Sequence, residues 1–242
     1  MDKSEIKLND GGWENFYKVA GAAALLIVLT GLVDTITSML GGEARETSSV
    51  SVLEWFTLFQ TNRFYALSNL GLINIITLTL GIPLYLALYN VHRRDNPAFA
   101  TLASALFFIG TAVYISTNTI FSMLALSNQY AAAAASQKIL FEAAGRAVLA
   151  QGADLTPGTF MGLLFTQAAG MIMTIVMLRA GVFTKWTARI GLVGFLITSI
   201  FFVLAAFVPS SYGAALIFAM LGGLLLLGYH LMLAVRFFQL AQ

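Results

Sequence analysis

"ALSNLGLINIITLTLGIPLYLALYNV", residues 66–91, contains no Asp, Glu, Lys or Arg. At ~1.5 Å per residue, a helix of that length is long enough to cross a hydrocarbon core ~30 Å thick. Irregular backbone facing lipid would leave its N–H and C=O groups without partners, so the run reads as a helix. Five further runs of the same kind lie at about 17–40, 98–127, 158–181, 189–208 and 213–236. Asp34 is the one charged residue well inside any of them.

The composition agrees with this reading. The chain of 242 residues is 59% hydrophobic and 10% charged, whereas a soluble domain carries roughly a quarter charged residues. These features predict an all-α integral membrane fold, a bundle of six transmembrane helices over residues 17–242. Residues 1–16 precede it as a polar cytoplasmic leader, because the apolar stretch that follows is longer than the h-region of a signal peptide. A net charge of +2 with no basic cluster excludes nucleic acid as a partner. The absence of cysteine removes disulfides, thiol catalysis and thiolate metal sites.

Basic residues beside the spans set the expected direction. With the N-terminus inside, the cytoplasmic side holds Lys3, Lys7, Lys18, Arg93, Arg94, Arg179, Lys185, Arg189 and Arg236. The outside then holds only Arg45, Arg63, Lys138 and Arg146. The expectation is a cell-membrane protein with both termini cytoplasmic and its longer connections outside.

The first outer connection carries "SVLEWFTLFQTN", residues 51–62. Ser51 and Glu54 have the spacing of a capping box, in which each side chain satisfies a free donor of the first helical turn. Val52, Trp55, Phe56 and Phe59 follow at i, i+3, i+4 and i+7, the apolar face of a short outer helix. Two placements suit that face, flat in the membrane interface or packed on the outer end of the bundle, and in either the helix is a lid. The second outer connection, "QYAAAAASQKILFEAAGRAVLAQ" at 129–151, reads as a solvated helical hairpin. Its alanines favour helix, and Lys138, Glu142 and Arg146 stand four apart as an ion-pair ladder.

"LEWFTLFQTNRFYALSNLGLINIITL", "LYLALY", "ALSNQYAAAAA" and "MLRAGVFTKWTARIGL" together resemble the bacterial membrane proteins grouped as domain of unknown function 4386. The resemblance runs from about Tyr17 to Phe237 and implies the same six-span layout. It brings no activity and no site residue with it.

Polar groups inside the membrane mark candidate sites. Asp34 lies roughly 9 Å below the outer end of span one, with Thr30 and Ser38 on the same face. Asn69 and Asn74 lie roughly 5 and 12 Å deep in span two, and Gln167 of span four roughly 14 Å deep. Thr111, Tyr114, Asn118 and Ser122 form a stripe along span three. Asp34, Asn69, Asn74, Thr111, Tyr114, Asn118 and Gln167 are therefore the ligand-binding candidates, opposed by the simpler reading that they hold helices together. Gly158, Gly162, Thr166, Gly170 and Thr174 make a small-residue ridge for close helix packing, within the chain or between copies. Pro83 should kink span two.

No catalytic or metal constellation stands out, and no cofactor is expected. His92 belongs to a cytoplasmic turn, and His230 lies near the inner end, roughly 10–15 Å from the depth of Asp34. There is no HExxH, no Gly-x-Ser-x-Gly and no phosphate-cradling loop. The reading favours a non-enzymatic membrane protein that binds a lipid or small apolar molecule in an outward-opening polar cleft. The alternatives are an accessory subunit packed against a membrane-protein partner and, third, an intramembrane enzyme.

Overall fold

The computed structural model describes residues 11–40 and 50–242, and among them every regular element is helical. The helices are α1 (Gly11–Leu40), α2 (Val52–Thr61), α3 (Arg63–Asn69), α4 (Leu72–His92), α5 (Pro97–Thr117) and α6 (Ile120–Ala132). They continue as α7 (Lys138–Gly152), α8 (Pro157–Ala180), α9 (Lys185–Phe207) and α10 (Tyr212–Leu240). Most of the expected leader lies outside the described residues, and its last part, Gly11–Phe16, forms the opening turns of α1.

Six helical segments are long and apolar enough to cross a membrane, built on α1, α4, α5, α8, α9 and α10. Each packs on its neighbour in sequence, and α10 closes back on α1, so the bundle is a ring. Leu25, Leu29, Ile36, Ile217, Met220 and Leu224 are exposed on its outer surface, as a solvent of acyl chains requires. At the end where α1 begins and α10 finishes, Tyr17 stacks on Phe237 with ring centroids 5.8 Å apart. Asn90 donates to the Tyr17 hydroxyl there at 2.8 Å, which ties α4 to α1.

Small residues let the spans approach closely. A Cβ at Gly162 would stand 2.7 Å from the backbone nitrogen of Tyr114, and one at Gly110 would stand 2.8 Å from the carbonyl of Gly162. Gly170 faces the Phe195 ring, and Gly158 lies against the Gln151 carbonyl. The α8 ridge is therefore used for packing within the chain. Gly81 likewise admits Phe107, which stacks on Tyr85 at 3.8 Å. Pro83 lies inside α4, whose helix continues on both sides.

The opposite end is covered by a cap of α2, α3, α6 and α7. The Ser51–Glu54 capping box forms as the spacing predicts, with both reciprocal bonds present. Val52, Trp55, Phe56 and Phe59 are buried against Ala66, Leu70, Ile120, Met123 and Ala153. Of the two placements the sequence allowed, these side chains take the packed one and do not form a lipid-facing surface. Gly145 of α7 leaves room for Val52 and Phe56, and Ser127 of α6 donates to the Phe56 carbonyl at 3.1 Å. Burying four large apolar side chains at ~1.5–3 kcal/mol each gives the cap a core of its own.

The hairpin α6–α7 forms, but its charges do not make the expected ladder. Glu142 accepts from the Tyr130 hydroxyl at 3.4 Å, and the Lys138 ammonium lies 4.9 Å above the same ring. The reason is geometric, since α6 brings an aromatic ring between two groups that would otherwise pair along α7.

Candidate functional site

Two of the expected continuous helices are interrupted at the junction of cap and bundle, and the hairpin turns into span four at the same level. Span two breaks at Leu70–Gly71, where Gly71 adopts φ +106 and caps α4. Span three breaks at Asn118, whose ψ of 130 ends α5 before α6 resumes at Ile120. The hairpin enters span four through Ala153–Thr156, where Leu155 takes φ 57, an uncommon conformation for a side chain branched beyond Cβ.

The breaks are joined by one carboxylate, that of Asp154, which is 5% exposed. Tyr114 of α5 donates its hydroxyl at 2.6 Å to one oxygen, which also receives the Leu155 N–H at 3.0 Å. Asn74, in the first turn of α4, donates to the other oxygen at 2.9 Å. Asn118 completes the shell, donating to the Leu70 carbonyl at 3.0 Å and to the Tyr114 hydroxyl oxygen at 3.4 Å. Its own carbonyl oxygen accepts the Ile120 N–H at 3.0 Å, and the Thr119 N–H bonds the Gly152 carbonyl at 3.1 Å. Backbone groups freed by the breaks are thus taken up by side chains, as buried polar backbone requires.

Gly71 makes this close approach possible. A Cβ there would lie 2.6 Å from both the Tyr114 hydroxyl and the Asn118 amide nitrogen, and 3.2 Å from the Asp154 carboxyl carbon. The carboxylate therefore sits beside the first turn of α4, where the free N–H groups and helix dipole favour negative charge.

Three consecutive residues serve three different neighbourhoods. Ala153 belongs to the cap core, Asp154 to the polar hub, and Leu155 packs with Phe201, Ala205 and Ala215 between α9 and α10. The left-handed backbone at Leu155 turns the chain sharply enough to permit this.

Asn74, Tyr114 and Asn118 of the ligand-binding candidates meet in the hub. Asp34 does not join them. It is exposed and makes no hydrogen bond to a described residue, although its charge lies within Coulombic reach of Asp154. Thr30, one turn away, bonds Thr77 of α4 at 3.0 Å. Asn69 returns to the Tyr65 carbonyl of its own helix at 2.9 Å. Thr111 and Gln167 are buried on α5 and α8, and the Thr111 hydroxyl and the Gln167 carbonyl oxygen meet no hydrogen-bond partner. His230 shares a 2.7 Å contact with the Leu226 carbonyl, and His92 lies at the end of α4 far along the chain from the hub.

Asp154 is not among the sequence candidates, because it lies outside every uncharged run. Its signal is present in "GADLTPG", 152–158, an acid between helix breakers at the mouth of a span with no basic residue nearby.

Two cavities open at the cap–bundle junction. One of about 530 Å³ is lined by Val50–Leu53, by Glu142, Arg146, Leu149 and Ala150 of α7, and by Ala153, Thr156 and Pro157. The other, about 590 Å³, lies between α1 and α2–α3, lined by Val33, Ile36, Thr37, Leu58, Asn62, Phe64 and Tyr65. Both are within the usual size of small-molecule sites, roughly 300–1,000 Å³.

Six apolar spanning helices in one closed ring make the chain a multi-pass α-helical membrane protein. No protein-family model, no curated protein and no solved structure matches it.

Proposed function

We propose that this protein binds a lipid at the junction between its cap and its membrane bundle, on the outer side of a bacterial cell membrane. The observation that carries the proposal is the cavity beneath α2 and α7. Its walls are apolar through Val50, Val52, Leu53, Leu149 and Pro157, while Glu142 and Arg146 stand on its α7 side. Pro157 begins a spanning helix, so the cavity lies where acyl chains give way to headgroups. A molecule apolar at one end and charged at the other fits such a lining. The polar hub supports the site without being the site, because both Asp154 oxygens are already occupied by donors of the protein.

The same occupancy argues against an intramembrane enzyme. A general acid or base must be free to reach substrate, and among the described residues Asp34 makes no hydrogen bond to a second acid or base. Membership in the domain of unknown function 4386 family belongs with this proposal and rests on the sequence resemblance alone. The outward direction of the cap rests on the basic residues crowded at the opposite end. On intact cells, an impermeant thiol reagent should label a cysteine at Ser136 and spare one at Asn96; the opposite pattern would reverse the orientation.

The binding test is retention of lipid through mild purification, measured by mass spectrometry. Ala150→Trp fills the cavity and should remove the retained lipid, whereas Ala143→Trp on the same helix, outside the lining, should not. Equal retention by both variants would refute binding in this cavity.

A further inference from the structure

We infer that the headgroup recognised in this cavity is zwitterionic, a phosphate followed by a primary ammonium. The inference rests on the lipid-binding reading and concerns what Arg146 and Glu142 do there. The two stand one helical turn apart on α7, and both line the cavity. At that spacing they could close on each other as an ion pair, yet neither is in an ion pair with a described residue. Glu142 holds the Tyr130 hydroxyl with one oxygen at 3.4 Å, which draws its carboxylate toward α6 and leaves the second oxygen available. Arg146 is exposed and makes no hydrogen bond to a described residue.

A guanidinium and a carboxylate are thus held apart over an apolar cavity. The guanidinium fork matches two phosphate oxygens, and a carboxylate oxygen accepts N–H donors, which a primary ammonium has and a quaternary one lacks. The distance between adjacent turns, ~5.4 Å, suits charges joined by a two-carbon bridge. The apolar walls through Leu53, Leu149 and Pro157 take the start of the acyl chains, and so distinguish a membrane lipid from a free phosphate or amine. Lys138, the remaining charge on this face of α7, lies over the Tyr130 ring and does not line the cavity.

The experiment is binding of ethanolamine, choline and glycerol phospholipids of identical acyl composition to the full-length protein, by native mass spectrometry in detergent. The ethanolamine lipid should bind about tenfold more tightly than the other two, the effect of one hydrogen bond to a charged group. Arg146→Gln should weaken all three. Glu142→Gln should abolish the preference for the ethanolamine lipid. Because Arg146 is exposed and a glutamine at 142 still offers an oxygen to the Tyr130 hydroxyl, thermal unfolding of the variants should match the parent. Equal affinity for all three lipids, or a preference that survives Glu142→Gln, overturns the headgroup assignment even when Ala150→Trp still abolishes binding. If Ala150→Trp leaves binding intact, the cavity itself is wrong, and this inference falls with it. Binding of free phosphoethanolamine as tight as the lipid would overturn the membrane source.

Discussion

Replacing Asp154 should loosen the cap before it unfolds the bundle. The side chain accepts three hydrogen bonds, at 2.6, 2.9 and 3.0 Å, from Tyr114, Asn74 and Leu155. A hydrogen bond to a charged group contributes about 1.5–3 kcal/mol, and a buried donor left unmet costs about 1–3 kcal/mol. Asn74 is half-buried and can turn toward water, so its loss is partial. Tyr114 is fully buried, and its hydroxyl hydrogen would have no acceptor. Asp154→Ala should therefore destabilise the protein by about 2–4 kcal/mol, from the lost hydrogen bonds and the one buried donor left unmet. Tyr114→Phe, which deletes donor and hydroxyl together, should cost about 1.5–3 kcal/mol. Once Asp154 is gone the tyrosine has little left to lose, so the double variant should fall well short of the sum. The assay is denaturant unfolding in detergent, with hydrogen exchange to locate the opening. Exchange should rise first in α2, α6 and α7. Strict additivity of the two substitutions, or an Asp154→Ala variant within about 0.5 kcal/mol of the parent, would refute the hub as a structural centre.

Two other expectations are simpler. Gly71→Ala should destabilise the protein strongly, because its φ is +106 and a Cβ would enter the hub, while Gly213→Ala, with open space around it, should be near neutral in the same unfolding assay. With Trp13 and Trp186 replaced by Phe, Trp55 should emit as a buried tryptophan and resist both aqueous iodide and shallow lipid-borne quenchers, since it is 3% exposed within the cap. Quenching by the lipid-borne probe would return this face to the membrane.

The spans were legible because hydrocarbon tolerates only one answer for a long uncharged run, and the capping box of α2 because it is local to four residues. The breaks at Gly71 and Asn118 were not legible. Glycine and asparagine occur inside spanning helices when neighbours satisfy the backbone, and the neighbours that end these helices come from distant spans. Depth arithmetic assumed unbroken helices, which brought Asn69 into a cleft when it serves its own helix. Asp34 drew notice because it interrupts an apolar run, and Asp154 escaped it because the fourth run begins four residues later. The apolar stripe of α2 was correctly read as a face, but which surface covers a face is a tertiary fact.

The hub also imposes an order on biogenesis. Asn74 and Tyr114 enter the membrane with spans two and three, before the acceptor they share has been synthesised. Until Asp154 follows, the Tyr114 hydroxyl has no acceptor among acyl chains, at a cost of roughly 1–3 kcal/mol, and Asn74 has only water at the membrane surface. The fourth span therefore does more than extend the bundle: its arrival relieves the two before it and seats the cap in the same step. A nascent chain halted short of residue 154 is left with an unmet donor near the membrane surface, a mark by which an incomplete molecule differs chemically from a finished one.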